Sequence, residues 1–234
     1  MKEIAPDVYQ LTGPYVGRVY FIRSDDGCTV IDTSIAPAAK AIVAQAHKLG
    51  YGPREIRRVL ITHAHPDHVG GLPALKAASG AQIYCSSLER PVVEGRTPIP
   101  GPPDERLGPL MRRLRPPPTT LKGTPVDHEL SDGQIIDGLL GGLQVVATPG
   151  HAPGHLSFWA PQRGILFTGD VIFHLGRLGL PFAFFTVDMA ENIRSIRRLV
   201  DLKPELVCFG HGPPIARNAA KRISAFARKV GAIG

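Results

Sequence analysis

The sequence predicts an α/β domain built from alternating strands and helices. Short apolar runs typical of buried strands recur along the 234 residues, and amphipathic segments of helical length lie between them. The composition is that of a globular protein, with 43% hydrophobic and 20% charged residues. A chain of this length can bury one sizeable core, so we expect residues 1–234 to form a single domain.

The order of the elements favours two groups of strands with helices between them. Turn signals such as Asp25-Asp26-Gly27, and helix start and stop signals such as Pro37 and Gly50, separate the apolar runs. We expect strands at residues 8–11, 18–23, 28–32, 59–61, 81–85, 134–140, 143–148, 155–159 and 164–168. We expect helices at residues 37–49, 53–58, 71–78, 187–202 and 215–230.

A proline-rich insert at about residues 91–126 interrupts this alternation. It carries ten prolines, so it is a poor source of sheet strands. A short helix at residues 104–114 fits inside it. We interpret the insert as a lid over an active edge, with a disordered surface loop as the alternative. The lid is favoured because the insert offers an apolar face that must pack against another surface, formed by Ile99, Leu107, Leu110, Met111 and Leu114.

Charge and cysteine content limit the partners and the compartment. The net charge of +7 is spread over helix-like segments, which we interpret as a solvated basic face and not as a nucleic-acid-binding surface. Cys28, Cys85 and Cys208 lie singly in apolar runs and are expected to be reduced core residues. No signal peptide and no membrane-spanning stretch is indicated, so we expect a cytoplasmic protein without a membrane partner. A homodimer is left open.

The densest group of metal-capable side chains is His63-Ala64-His65-Pro66-Asp67-His68. Residues two apart on an extended segment point the same way, so His63 and His65 can hold one cation. Pro66 bends the path, and Asp67 and His68 would face a second point nearby. The alternative is a polar loop that is rich in histidine by chance.

Three further candidate ligands each follow an apolar, strand-like run and lie among glycines. They are His151, Asp170 and His211. Side chains at neighbouring strand ends can meet at one edge of a sheet, where loops carry catalytic groups. Taken one at a time, each could be a hydrogen-bonded structural residue. Asp32 could support the metal ligands or cap the following helix, and His155 could be a supporting donor or a structural histidine.

The pattern Thr62-His-X-His-X-Asp-His-X-Gly-Gly, followed by Pro149-Gly-His, Gly169-Asp and Gly210-His-Gly, resembles the metallo-β-lactamase-fold hydrolase superfamily. The resemblance implies a four-layer αββα sandwich. It implies that His63, His65 and His151 hold one metal, that Asp67, His68 and His211 hold a second, and that Asp170 bridges both. The cofactor would be two divalent metal ions, Zn²⁺ first, with Fe or Mn as alternatives.

The same resemblance implies a mechanism. Two divalent cations would lower the pKa of a bridging water, and the resulting metal-bridging hydroxide would attack a substrate carbonyl. Asp67 and Asp170 would be catalytic, orienting the hydroxide and taking part in proton movement. We therefore expect a dinuclear metal-dependent hydrolase that cleaves a carboxylic ester, thioester or lactone in a small-molecule substrate.

The residues after Asp170 bear on the substrate. The segment is similar to the glyoxalase-II-like branch, and it contains the candidate substrate-binding residues Phe173, His174 and Arg177. Lactonase relatives place a tyrosine where Phe173 stands, which argues against a dedicated lactonase, although His174 could donate a proton or be structural. The alternative functions are β-lactam cleavage and phosphodiester or phosphotriester cleavage within the same superfamily.

Overall fold

The computed structural model describes residues 1–13, 16–114 and 117–234 and contains two large sheets. In the first sheet the strands lie side by side in chain order. They are β1 (Lys2–Ala5), β2 (Val8–Gln10), β3 (Tyr20–Ser24), β4 (Gly27–Ile31), β5 (Ile56–Leu60), β6 (Gln82–Ser86) and β7 (His128–Leu130). The pairs from β1 to β4 are antiparallel, and those from β4 to β7 are parallel.

The second sheet comes from the later part of the chain. The strands that follow β7 are β8 (Ile135–Ile136), β9 (Leu143–Ala147), β10 (Leu156–Ala160), β11 (Ile165–Phe167), β12 (Phe173–Leu175), β13 (Arg177–Gly179) and β14 (Leu206–Cys208). Five of them form a sheet in the order β14-β11-β10-β9-β8, in which only the β11–β14 pair is parallel. The remaining two, β12 and β13, form a separate hairpin.

The helices cover the outer faces of both sheets. They are α1 (Ala38–Lys48), α2 (Pro66–Val69), α3 (Leu72–Ser79), α4 (Arg90–Val93), α5 (Pro109–Leu114), α6 (Met189–Asp201) and α7 (Ala219–Lys229). Helices α1 and α3 pack on the first sheet, and α6 and α7 pack on the second. Within the described residues, no helix is long and apolar enough to cross a bilayer.

Alternation of side chains along the strands divides the interior into three apolar layers. In β5, Val59 packs towards α1 and α3, whereas Leu60 packs between the two sheets. In β11, Leu166 packs towards α6 and α7, whereas Phe167 lies between the sheets in the same apolar cluster as Leu60. The resulting order is helix, sheet, sheet, helix, which confirms the predicted αββα sandwich.

Several element boundaries differ from the prediction. The strand expected at 134–140 is wrong beyond Ile135–Ile136, because Gly138 and Leu140 adopt positive φ values of 75° and 52° and break the extended path. The helix expected at 53–58 is one 3₁₀ turn, Pro53–Glu55, after which the chain enters β5. The helix expected from 215 begins at Ala219, since Ile215 pairs with Val207 in an antiparallel bridge.

The insert at residues 91–126 is anchored in the core at both ends. Val92, Val93 and Val126 are buried in the layer beneath α1 and α3. Between them, the helix expected at 104–114 is divided into the 3₁₀ turn Asp104–Arg106 and α5. The Met111 and Leu114 side chains and Pro116 lie outside the described residues. The lid role stays a prediction.

Candidate metal centre

The seven predicted ligands converge where four strands end. His63 and His65 follow β5, and Asp67 and His68 lie in the single turn of α2. The other three predicted ligands, His151, Asp170 and His211, follow β9, β11 and β14 respectively. Both sheets therefore contribute side chains to one cluster at the same edge of the sandwich.

Three histidines form the first group. Nδ1 of His65 lies 3.0 Å from Nε2 of His151, and the ligand atoms of His63, His65 and His151 all fall within 4.8 Å of one another. All three side chains are buried. Burial lowers the pKa of His65 to about 4 and holds the pKa values of His63 and His151 well below their usual value. These rings are therefore neutral, which is the form of imidazole that binds a metal ion.

Asp67, His68 and His211 form the second group. Oδ2 of Asp67 lies 3.2 Å from Nε2 of His211, which is 3.5 Å from Nε2 of His68. Burial opposes the charged form of His211, but hydrogen bonds to Asp170 and Asp67 outweigh it and raise its pKa to about 9. Burial likewise opposes ionisation of Asp67, yet the hydrogen bond from His211 lowers its pKa to about 2. The second group is thus an ion-paired set in the absence of a cation.

Asp170 lies between the two groups. Its Oδ2 atom is 3.5 Å from Nε2 of His151 and 3.2 Å from Nε2 of His211, and its Oδ1 atom is 3.4 Å from Nε2 of His68. The carboxylate is almost fully buried. Gly210 makes room for it, because a Cβ atom there would collide with Oδ1 of Asp170. The side chain is placed where a bridging ligand would need to be.

The donor set fits a pair of divalent cations. Nε2 of His63 and Oδ1 of Asp170 are buried and make no hydrogen bond among the described residues. A buried polar atom without a partner is costly unless another group, such as a bound ion, satisfies it. Imidazole nitrogens with added carboxylates suit Zn²⁺ and related divalent metals. In the part of the chain that the structure describes, three sets of side chains are close enough to hold an ion: His63-His65-His151, His63-His68-Asp170 and Asp67-His68-His211.

Asp32 supports the second group from behind. Its Oδ2 atom lies 2.8 Å from Nδ1 of His68, and its two oxygens accept hydrogen bonds from the backbone N–H and the hydroxyl of Thr62 at 2.9 and 2.7 Å. No side chain caps the N-terminus of α1. Of the two roles considered from the sequence, the contacts of Asp32 match the support of a predicted ligand.

His155 holds the backbone of Asp170. The Asp170 N–H donates to Nε2 of His155 at 3.0 Å, so Nδ1 carries the proton and donates to the Thr148 hydroxyl at 2.9 Å. The Thr148 hydroxyl in turn donates to the Ser157 hydroxyl, which donates to the Thr168 backbone carbonyl. Burial lowers the pKa of His155 to about 3, so the ring stays neutral and keeps this tautomer. His155 is both a structural histidine and a support for the bridging position.

Glu89 is a buried carboxylate that the sequence reasoning missed. Its Oε2 atom accepts from the Ala64 N–H and its Oε1 atom from the Gly154 N–H, both at 2.8 Å. It therefore ties the loop that carries His63 and His65 to the loop that carries His151. Burial raises the pKa of Glu89, and the two N–H donors oppose that rise. Flanked by Leu88 and Arg90, it resembled a surface residue in sequence.

The segment after the bridging position supports His151. The Thr186 hydroxyl lies 3.1 Å from Nδ1 of His151 and donates to the Phe182 carbonyl at 3.0 Å. The hydroxyl must then accept from Nδ1, which leaves Nε2 of His151 unprotonated and facing His65 in the cluster. Thr186 was also missed from sequence, because a threonine after a phenylalanine run gives no signal of this contact.

The three candidate substrate residues lie in the β12–β13 hairpin at different distances from the cluster. The Phe173 ring lies 4.6 Å from that of His211 and 6.4 Å from that of His151. Nδ1 of His174 donates to the Pro213 carbonyl at 2.7 Å, and Nε2 lies 3.3 Å from the Arg222 guanidinium. Arg177 is exposed at the start of β13. Phe173 contacts predicted ligands through its ring, and the His174 N–H donates to the His211 carbonyl at 2.9 Å, whereas the His174 ring contacts Pro213 and Arg222.

The fold and the cluster define an αββα protein with a candidate dinuclear metal centre. The chain belongs to the metallo-beta-lactamase superfamily, whose family model matches residues 12–211. The probable metallo-hydrolase YflN of Bacillus subtilis (strain 168) is 29% identical, with 99% of this chain and 94% of the relative covered. Hydroxyacylglutathione hydrolase of Rhodospirillum rubrum is 27% identical, with 82% of this chain but only 62% of the relative covered.

Solved structures agree with this assignment. TTHA1623 in a di-iron-bound form is 28% identical, with a TM-score of 0.67 and coverage of 93% of this chain and 96% of that chain. The B3 metallo-beta-lactamase BLEG-1 is 26% identical, with a TM-score of 0.66 and coverage of 89% and 93%. The family and the names of its relatives identify a metallo-hydrolase, and they leave the metal and the bond cleaved to be proposed.

Proposed function

We propose that this protein is a dinuclear metal-dependent hydrolase that cleaves a carboxylic ester, thioester or lactone in a small molecule. The observation that carries the proposal is the convergence of seven donor side chains, six of them around Asp170, with buried atoms of His63 and Asp170 making no hydrogen bond within the described residues. Two bound divalent ions, Zn²⁺ first and Fe or Mn as alternatives, would supply an activated water and polarise the carbonyl.

The residues of the cluster would have three roles: binding the ions, orienting the reactants and moving a proton. His63, His65 and His151 are neutral and would hold one ion without losing protons, whereas Asp67, His68 and His211 would hold the other. Asp170 is buried between them, and its side chain is 3% exposed, whereas that of Asp67 is 29% exposed. We assign proton movement to the Asp67 carboxylate, because it is the one that solvent can reach, and orientation to Asp170.

The side chains of Phe173 and His174, next to the cluster, offer no proton to a leaving group, and this favours a thioester over an ester as the substrate. Phe173 beside His211 has no proton to donate. The Nδ1 proton of His174 is committed to the Pro213 carbonyl, and its Nε2 faces the Arg222 guanidinium. A thiol with a pKa of about 8.5 leaves readily as a thiolate, whereas an alkoxide is far more basic and leaves more slowly without a proton donor.

Metal analysis combined with a substrate panel tests the proposal. We expect about two divalent ions per chain after reconstitution, and turnover of a thioester, ester or lactone that stops on chelation. An Asp170→Asn variant should lose most of this activity and bind fewer ions. The proposal is wrong if the reconstituted protein binds no ion, or if it hydrolyses none of the three bond types.

β-Lactam cleavage is a second candidate, because BLEG-1 is similar over nearly its whole length. A nitrocefin-type substrate in the same panel distinguishes it. A phosphodiester substrate covers the remaining alternative, in which the same two ions would clamp a phosphate. Preferential turnover of either substrate would replace the carboxylic ester class in the proposal.

A further inference from the structure

Four phenylalanine rings form a continuous arc beside the predicted metal centre. We call Phe173, Phe182, Phe184 and Phe185 the aromatic arc. Successive ring centroids lie 5.8 Å apart from Phe173 to Phe182, 5.7 Å from Phe182 to Phe184, and 4.2 Å from Phe184 to Phe185. These spacings are those of interacting aromatic pairs, so the four rings form one surface.

Both ends of the aromatic arc touch predicted metal ligands. At one end the Phe173 ring lies 4.6 Å from the His211 ring, and at the other end the Phe185 ring lies 6.4 Å from the His65 ring. His211 belongs to one ligand group and His65 to the other. The arc therefore runs alongside the whole cluster, from the ligands of one predicted ion to those of the second.

Two rings of the aromatic arc, those of Phe182 and Phe185, are exposed to solvent. Phe182 is 51% exposed and Phe185 is 43% exposed, whereas Phe173 is buried. The backbone that carries them is fixed, because the Thr186 hydroxyl donates to the Phe182 carbonyl while it accepts from His151. Residues 181–187 contain no charged side chain. A fixed, exposed and uncharged aromatic surface beside a reactive centre is suited to apolar groups.

We propose that the aromatic arc binds an apolar alkyl or aryl group next to the scissile bond of the substrate. This rests on the proposed function. It separates this chain from its relatives named hydroxyacylglutathione hydrolase, because glutathione carries two carboxylates and an ammonium group, whereas residues 181–187 carry no charged side chain. The substrate class is then an ester or thioester whose recognised portion is hydrocarbon-like.

A chain-length series tests this with the metal-loaded protein. One arm uses N-acetylcysteamine thioesters from acetyl to octanoyl, and the other uses acetyl thioesters of alkyl thiols of rising length. We expect kcat/KM to rise by up to about fourfold per added methylene in at least one arm. The arm that responds identifies the side of the scissile bond on which the arc acts.

Two variants and a matched control locate the effect. Phe182→Ser and Phe185→Ser should flatten the dependence on chain length. Ile135→Ser, at a residue 58% exposed in β8 outside the arc, should keep the wild-type slope. Calorimetric titration with butyrate and octanoate gives a readout without turnover, and octanoate should bind more tightly only when the arc is intact.

The outcomes separate this inference from the proposed function. Equal turnover at every chain length, or unchanged slopes in both arc variants, overturns the inference and leaves the hydrolase standing. A change of sedimentation coefficient in Phe182→Ser without a change of slope also overturns it, and assigns the surface to contact between two copies. Failure to hydrolyse any thioester, ester or lactone would instead overturn the proposed function.

Discussion

Oδ2 of Asp32 lies 2.8 Å from Nδ1 of His68, and this contact determines which nitrogen of the ring faces the cluster. Asp32 itself adopts a positive φ of 57°, which is an unfavourable conformation for a residue with a side chain. The same carboxylate holds Thr62 through two hydrogen bonds. The residue with this unfavourable φ is therefore the one whose side chain holds both Thr62, at the end of the neighbouring strand, and the predicted ligand His68 in place.

Asp32→Asn should weaken the second metal site. The asparagine amide would present N–H groups towards donors that now meet a carboxylate, so His68 loses its fixed orientation. We expect a decrease in affinity for one ion of about 10- to 100-fold, as for other partners of metal-bound histidines. Stepwise Co²⁺ titration followed by absorption measures it. Asp137→Asn, at an exposed aspartate, is the matched control and should bind both ions as the wild type does.

Glu89→Gln should weaken the first site more than the second. Glu89 accepts from Ala64 and Gly154, and a glutamine amide can accept at only one of these positions while opposing the other N–H. We expect a loss of about 1–3 kcal/mol in the free energy of unfolding, measured by urea denaturation.

The same Co²⁺ titration distinguishes a local effect of Glu89 from a general one. The ion held by the three neutral histidines should be weakened first. Glu129→Gln is the control, because its carboxylate is 45% exposed and pairs with Arg90 at the surface, where such pairs contribute less than about 1 kcal/mol. Equal loss at both sites would contradict the assignment of Glu89 to the first group.

Metal binding should release protons below about pH 9. In the metal-free protein His211 is protonated up to a pKa of about 9, and an ion at the second group must displace that proton. Burial opposes the charged form of His68, but the Asp170 and Asp32 carboxylates outweigh it and raise its pKa, so this proton must leave as well. The observed affinity should therefore rise by more than tenfold per pH unit below about pH 9, and less steeply above it. Titration in weakly buffered solution measures the protons released. His47→Gln, at an exposed histidine of α1, should leave the number unchanged.

The sign of the accompanying stability change follows from the same shift. The pKa of His211 in the folded, metal-free protein lies above its usual value of 6.5, so its pairing with Asp67 and Asp170 stabilises the fold fully below about pH 6.5. That contribution is lost as the pH rises through about 9. Thermal unfolding of the metal-free protein between pH 6 and 9.5 should show it, and a constant melting temperature would contradict the ion pairing.

Gly169→Ala should destabilise the protein beyond the usual cost of replacing a glycine. Gly169 has a φ of 53°, and an added Cβ would lie 2.5 Å from Nε2 of His155. Gly133→Ala is the control, because Gly133 has a φ of 79° and nothing within 4 Å of the added atom. The control should lose about 1 kcal/mol for backbone strain alone. A similar loss in both variants would show that His155 moves aside.

The sequence predicted the layers and the cluster better than the supports around it. Strand ends with histidine or aspartate among glycines carry a local pattern, and the resemblance gave their order, so the convergence of His63, His151 and His211 was expected. Glu89 and Thr186 act through contacts between segments far apart in the chain, at 25 residues from Ala64 and 35 from His151. No local pattern encodes such pairs.

Short elements were also difficult to predict. The β12–β13 hairpin, β7 and the first strand have three or four residues each, which is too few for an alternating pattern to be distinguished from a loop. The strand predicted at residues 134–140 was wrong for the opposite reason, since an apolar run long enough for a strand contains a turn. Ile135, Ile136, Leu139 and Leu140 are apolar, but Asp137-Gly138 turns the chain in the middle of the run.

The division of the predicted ligands between the two sheets has a consequence for biosynthesis. Four of them are made by residue 68, whereas His151, Asp170 and His211 follow strands of the second sheet. A nascent chain can present the early histidines and Asp67 to a cation, but the complete set can form only after residue 211 has been synthesised and the sheets have docked. Acquisition of the two proposed ions would therefore be a late step in maturation.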